Sequence, residues 1–141
     1  MKEIIMASSP TLEIIKVSEI KHLNILVNNL DISWAFYSEV LGFSYVNHLG
    51  PRKIAASFRG FDFFLEEAVD YQGKPDERIH FGIRTDRQGV LLWGEHLSNN
   101  GVTLVRGNNP EATIYEMPGT SRVALYFQDP DGWTIEVYSP E

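Results

Sequence analysis

The alternation of apolar and polar positions predicts a first unit with the order β-α-β-β-β. Residues 22–28, HLNILVN, alternate as a strand does, and residues 32–41 carry apolar side chains at helical spacing. Asp31 is expected to cap this helix, and Gly42 is expected to end it. Three further strands are predicted, over residues 43–49, 53–58 and 61–67.

The same order of elements returns after a polar, turn-rich link. A strand is predicted over residues 79–85, and Asp86 is expected to cap a helix that reaches about Ser98. The residues between 107 and 119 are expected to form a long loop. The remaining strands are predicted over residues 102–106, 122–127 and 133–138, the last two joined by the turn 129-DPDG-132. The chain therefore contains an internal repeat of one β-α-β-β-β unit.

The two halves place histidines at equivalent positions. His22 begins the first strand of one half and His80 begins the first strand of the other, while Glu136 lies in the last strand of the second half. Alternate side chains of a strand share a face, so these three residues belong to the polar face of their sheets, and the apolar faces are expected to pack on the helices. If the two polar faces meet, the three side chains converge.

Two imidazoles and one carboxylate form a ligand set for a divalent metal ion, with adjacent positions open for water or substrate. An ionised Glu136 among apolar neighbours is costly by itself, and a cation would offset that cost. In the alternative interpretation, His22 and His80 only donate hydrogen bonds to Glu136.

Composition argues against nucleic-acid binding, thiol chemistry and membrane association. The 141 residues fit one domain, and the net charge of −7 argues against a nucleic-acid binder. The absence of cysteine excludes disulfides and thiolate sites, and it suits a cytoplasmic location. Since no apolar run approaches the ~20 residues of a membrane helix, no membrane association is expected. Residues 1–18 are interpreted as an N-terminal extension and not as a signal peptide.

Three stretches together resemble the vicinal oxygen chelate superfamily of glyoxalase I, fosfomycin-resistance transferases, extradiol dioxygenases and bleomycin-resistance proteins. They are 22-HLNILVNNLDISWAFYSEVLGF-43, 79-IHFGI-83 and 124-ALYFQDPDGWTIEVY-138. The resemblance covers residues 19–139. It implies a single α+β domain in which two βαβββ modules, 19–70 and 79–139, are joined by the link 71–78 and form a cup-shaped, curved mixed sheet. Members are usually homodimers that bind small molecules.

By matching position, the resemblance makes His22, His80 and Glu136 the ligands of one divalent ion, which could be Fe, Mn, Ni, Zn or Co. In the first half, Phe64 takes the place of Glu136, where glyoxalase I has a fourth ligand, so a four-ligand site is not expected. Glu66 lies on the same face and is a candidate catalytic group, with a solvated strand end as the alternative.

Five residues are candidates for contacts with a substrate. Tyr126 has the spacing of the tyrosine that extradiol dioxygenases keep beside their metal, and its phenol could donate a hydrogen bond to a bound oxyanion or simply line the cup. Asn24 stands where fosfomycin transferases have a threonine. Arg84 and Arg122 lie on the inferred concave faces and could bind an anion, and Phe64 would supply an apolar wall.

These features favour a metal-dependent enzyme that acts on a small oxygen-chelating substrate by Lewis-acid catalysis, as a lyase or isomerase or as a dioxygenase. A non-catalytic binding protein of the bleomycin-resistance kind is the first alternative. A fosfomycin-type transferase of thiol or water is the second.

Overall fold

The computed structural model describes residues 11–71 and 75–141, which form an α+β fold of two four-stranded sheets. The first half contains α1 (Thr11–Ile14), β1 (His22–Val27), α2 (Leu30–Ala35), a π-helical turn (Phe36–Val40), β2 (Ser44–His48), β3 (Lys53–Phe58) and β4 (Phe61–Glu67). The second half contains β5 (His80–Arg84), α3 (Arg87–Asn99), β6 (Tyr115–Glu116), β7 (Val123–Gln128) and β8 (Thr134–Ser139). The predicted fold of two βαβββ modules is confirmed.

The two sheets have the same topology. Their strand orders are β1-β4-β3-β2 and β5-β8-β7-β6. In each sheet the first strand pairs in parallel with the last, and the other pairs are antiparallel. Phe64 lies opposite Asn24 in the first sheet, and Glu136 lies opposite Gly82 in the second. Phe64 and Glu136 therefore occupy equivalent places, as the alignment of the two halves predicts.

Helix α2 begins two residues earlier than predicted. Asn29, and not Asp31, is the N-cap, and its side chain accepts a hydrogen bond from the backbone N–H of Ile32. Either residue type can cap a helix, so the sequence pattern alone does not decide between them. The second helix agrees with the prediction, because Asp86 caps it and accepts from the N–H of Gly89 at 2.7 Å.

The strand predicted over residues 102–106 does not form. Only one bridge, between Leu104 and Phe127, is made in this stretch. The outer strand of the second sheet is instead β6, two residues within the segment predicted as a loop. The apolar residues that suggested a strand in 102-VTLVR-106 are partly buried without forming a strand, since Val102 and Leu104 pack against the core.

One core joins the two modules. It contains the apolar faces of both sheets together with the helices, and Phe63 packs against Phe81 with ring centroids 5.1 Å apart. The indole N–H of Trp133 donates to the carbonyl of Leu26 at 2.7 Å. Since the apolar faces share this core, the polar face of each sheet is turned outward. Among the described residues, no helix has the length and apolar character needed to cross a bilayer.

Candidate metal centre

His80 and Glu136 form the centre of the candidate site on the polar face of the second sheet. Their strands, β5 and β8, are neighbours, and the two residues lie two register positions apart, on the same face of the sheet. The Nε2 atom of His80 is 3.2 Å from Oε1 of Glu136. Gly82 leaves space for the Tyr138 ring beside this pair, because a Cβ there would come within 2.8 Å of that ring and 3.6 Å of Oε1 of Glu136. Both side chains are mostly shielded, with 29% of His80 and 18% of Glu136 exposed.

The backbone fixes the tautomer of His80. Its Nδ1 atom is 3.0 Å from the carbonyl oxygen of Arg78, which can only accept a hydrogen bond, so Nδ1 carries the hydrogen. In a neutral imidazole Nε2 then presents a lone pair to the carboxylate of Glu136. Two acceptor atoms at this distance require a cation or a proton between them. A backbone carbonyl that orients the distal nitrogen is the usual arrangement for a metal-bound histidine.

Tyr126 lies on the other side of the same carboxylate. Its hydroxyl donates to Oε2 of Glu136 at 3.0 Å and accepts a long hydrogen bond of 3.4 Å from the amide of Asn108. Burial, followed by the hydrogen bond and the charge of Glu136, raises the pKa of Tyr126 to about 12. The phenol therefore remains a hydrogen-bond donor throughout the physiological pH range.

A cavity of about 270 Å³ opens beside these groups. Its walls include Tyr115, Met117 and Tyr138, so part of the lining is apolar. Arg122 brings a positive charge into this cavity, and that charge acts on Tyr126 by lowering its pKa, against the larger effects that raise it. The cavity thus offers a carboxylate, an imidazole, a phenol and a guanidinium to a small molecule.

The first sheet carries four more of the predicted site residues on its own polar face, namely His22, Asn24, Phe64 and Glu66. His22 packs on the ring of Phe64 with centroids 4.5 Å apart. The amide of Asn24 donates to Glu66 at 3.2 Å, and the ammonium of Lys53 lies 3.5 Å from the same carboxylate. Glu66 therefore does extend from the face that carries His22, with 44% of its side chain exposed.

Within a single chain the predicted residues form two groups. His80, Glu136, Tyr126 and Arg122 share one cavity, whereas the group around His22 lies on the other sheet. Over residues 11–71 and 75–141, no cluster of three or more histidine and acidic side chains is arranged to hold a metal ion. Arg84 lies apart from both groups.

Two residues that contact Tyr126 from the loop were not predicted from the sequence. Asn108 hydrogen-bonds Tyr126, and Gly107, at φ +49°, lies so close to the Tyr126 ring that a Cβ there would overlap it. Both belong to the long loop between α3 and β6. The dipeptide Gly-Asn is a turn signal, and nothing in its spacing indicates contact with a residue 18 positions later.

A family model for the glyoxalase/bleomycin resistance protein/dioxygenase superfamily matches residues 19–137. The chain belongs to this superfamily. The match spans both modules, as the resemblance in the sequence implies. A search of curated proteins finds no significant match.

Solved structures with the same fold include several members of the superfamily. The fosfomycin resistance protein FosX from Listeria monocytogenes aligns with a TM-score of 0.73 and 16% identity, over 89% of this chain and 96% of that chain. Lactoylglutathione lyase from Agrobacterium tumefaciens aligns with a TM-score of 0.68 and 18% identity, over 88% and 95%. An integron cassette protein from V. cholerae aligns with a TM-score of 0.62 and 26% identity, over 90% and 98%.

Proposed function

We propose that this protein is a metal-dependent enzyme that acts on a small oxygen-chelating substrate by Lewis-acid catalysis. The observation that carries the proposal is the position of His80, whose Nδ1 atom lies 3.0 Å from the carbonyl oxygen of Arg78 while its Nε2 atom lies 3.2 Å from the carboxylate of Glu136. A divalent ion would be bound by both of these acceptors and would remove the repulsion between them.

The donor set fits such an ion. Neutral imidazole and carboxylate are ligands that Fe, Mn, Ni, Zn and Co accept, and both side chains line the cavity, from which a substrate could reach an ion held by them. When bound, the ion would polarise the substrate oxygens and stabilise developing negative charge. His22 is the third ligand in this proposal.

We infer that His22 comes from a second copy of the chain. The polar faces of the two sheets are turned outward from one core, so His22 of one copy can meet His80 and Glu136 of the other when the first sheet of one faces the second sheet of its partner. A homodimer built in this way has two equivalent sites, as a two-fold axis requires.

The other residues then have distinct tasks. Tyr126 donates its one hydroxyl hydrogen to Glu136 in the structure, and it would turn this hydrogen to a substrate oxygen once Glu136 binds the ion. Arg122 would hold an anionic group of the substrate. Asn24 and Phe64 line the opposite wall, which the partner supplies, and Glu66 beside them is a candidate proton acceptor. We favour lyase, isomerase or dioxygenase chemistry over transfer to fosfomycin, because Asn24 stands where the fosfomycin transferases have a threonine. We also propose a cytoplasmic location.

The metal content of the purified protein tests the proposal. The parent is expected to contain about one divalent ion per chain by elemental analysis, and His80→Ala is expected to lose it. His48→Ala is the matched control, because His48 pairs with Tyr45 on the outer strand β2 and should leave the metal content unchanged. A parent that stays free of metal after titration with Mn, Fe, Ni and Zn would instead favour a binding protein of the bleomycin-resistance kind.

A further inference from the structure

A groove lies between the β3–β4 hairpin and β5, and we call it the junction groove. It consists of two adjoining cavities of about 330 Å³ and 660 Å³, which share Phe58, Arg59, Ile83 and Arg84. No residue that lines these cavities also lines the cavity of His80 and Glu136. The smaller cavity is walled by aromatic rings, those of Phe58, Phe61, Phe63 and Phe81.

The groove exists because the two hairpins have turns of different length. Five residues separate β7 from β8, and from this turn Asp131 accepts hydrogen bonds from the N–H of Asn28 and the hydroxyl of Ser33. That long turn fills the space next to β1 and α2. Only Arg59 and Gly60 connect β3 to β4, so the equivalent space next to β5 and α3 is left open.

Two arginines stand at this open space. Across the part of the chain that the structure describes, neither Arg59 nor Arg84 lies within ion-pair distance of a carboxylate. This is notable in a protein of net charge −7, where acidic partners outnumber basic ones. The two guanidinium groups remain available to an external anion.

Arg59 also occupies a strained backbone position. Its φ of 52° is in the left-handed region, which costs a residue with a Cβ about 1 kcal/mol or more relative to glycine. The hairpin therefore holds an arginine where a glycine would be more stable.

We propose that the junction groove binds a small anion with an aromatic body, such as an aromatic carboxylate. The guanidinium groups of Arg59 and Arg84 bind the carboxylate, and the phenylalanine wall covers the ring. A volume of several hundred Å³ with apolar walls and a few charged groups is typical of small-molecule sites. Arg84 thus binds an anion as the sequence suggests, in this groove and not beside Glu136.

The test uses the full-length protein and isothermal titration with naphthalene-2-carboxylate. The neutral naphthalene-2-carboxamide, of the same shape, is the control ligand. The parent is expected to bind the carboxylate. The parent should bind the carboxamide, and the Arg84→Gln variant should bind the carboxylate, about tenfold or more weakly, because charge-assisted hydrogen bonds are lost in each case. Arg59→Gly should weaken binding as well while making the protein more stable, so its result does not depend on a damaged fold.

His80→Ala separates this site from the proposed metal centre. It is expected to bind the carboxylate as the parent does, whether or not the metal centre is confirmed. Equal affinity for the carboxamide, unchanged binding in Arg84→Gln and Arg59→Gly, loss of binding in His80→Ala, or no binding at millimolar carboxylate would each overturn the proposal.

Discussion

At the scale of single residues, Tyr126 connects the predicted and the unpredicted parts of the site. Its spacing matches that of the tyrosine that extradiol dioxygenases keep beside their metal, and in the structure its hydroxyl donates a hydrogen bond of 3.0 Å to Glu136. Adjacent antiparallel strands explain this contact, because Tyr126 and Glu136 are register partners across a short hairpin. The loop residues behind the ring have no periodic relation to it and could not be found in this way.

The ionisation of Tyr126 is directly measurable. Tyrosinate absorbance is followed against pH for the parent and for Tyr126→Phe, and the difference between the two curves reports Tyr126 alone. This difference is expected to titrate near pH 12, because burial and the hydrogen bond and charge of Glu136 disfavour the phenolate. Glu136→Gln should move this difference to lower pH, since it removes the charge. A difference that titrates near pH 10 would contradict the arrangement.

Gly107 sets the position of the Tyr126 ring. Gly107→Ala is expected to destabilise the protein by roughly 1–3 kcal/mol and to displace the ring, because the new Cβ would overlap it and the backbone is left-handed. Urea unfolding and the tyrosinate titration measure both effects. Gly119→Ala is the control, since Gly119 is also left-handed, at φ +77°, but has no atom within 4 Å of the new Cβ. Equal losses in the two variants would mean that Gly107 does not support Tyr126.

At the scale of elements, the turn between β7 and β8 contacts the first module through hydrogen bonds. Asp129 is buried there, and it accepts a hydrogen bond of 2.7 Å from the hydroxyl of Tyr37 and another from the N–H of Trp133. The sequence 129-DPDG-132 predicted the turn from proline and glycine but not this contact, because Tyr37 is 92 residues away. Turn chemistry is local, whereas the partner of a buried carboxylate is set by the packing of the modules.

The buried carboxylate of Asp129 should make stability depend on pH. Burial raises its pKa from 3.8 to about 6, so the folded protein takes up a proton more readily than the unfolded chain. Relative to Asp129→Asn, the free energy of unfolding is expected to increase as pH falls from 7 to 4, by at most roughly 3 kcal/mol, and this gain is lost as pH rises through about 6.

Urea unfolding at a series of pH values checks this dependence. Tyr37→Phe removes a hydrogen bond that lowers the pKa of Asp129, so its transition should move to higher pH. Parallel pH profiles for the parent and Asp129→Asn would show that the carboxylate is not desolvated.

At the scale of the whole molecule, the sequence predicted each sheet better than the relation between the sheets. Strand alternation placed His22 and Glu136 on polar faces correctly, because the period of a strand is local. The meeting of these faces depends on which module packs against which. The local sequence pattern of each module is the same whether the site is completed by two modules of one chain or by modules of two chains. The pattern therefore cannot distinguish these two arrangements.

Mixing two variants that do not bind metal distinguishes a site completed within one chain from a site completed between two chains. His22→Ala and His80→Ala are each expected to lose bound metal. After joint unfolding and refolding, a mixed dimer combines an intact His22 from one chain with an intact His80 and Glu136 from the other. Metal binding should therefore return to about a quarter of the parent level for random pairing. A site completed within one chain would give no recovery.

The π-helical turn Phe36–Val40, which continues α2, makes the length of that helix difficult to change. Such a turn accommodates one more residue than an α-helical turn would, and each residue contributes a rotation of about 100°. A deletion between Ala35 and Val40 would restore regular winding but rotate Tyr37 away from Asp129, leaving a desolvated acid without its phenol donor. In a library of single-residue deletions, this segment is expected to be among the least tolerant helical positions, although its backbone is irregular already.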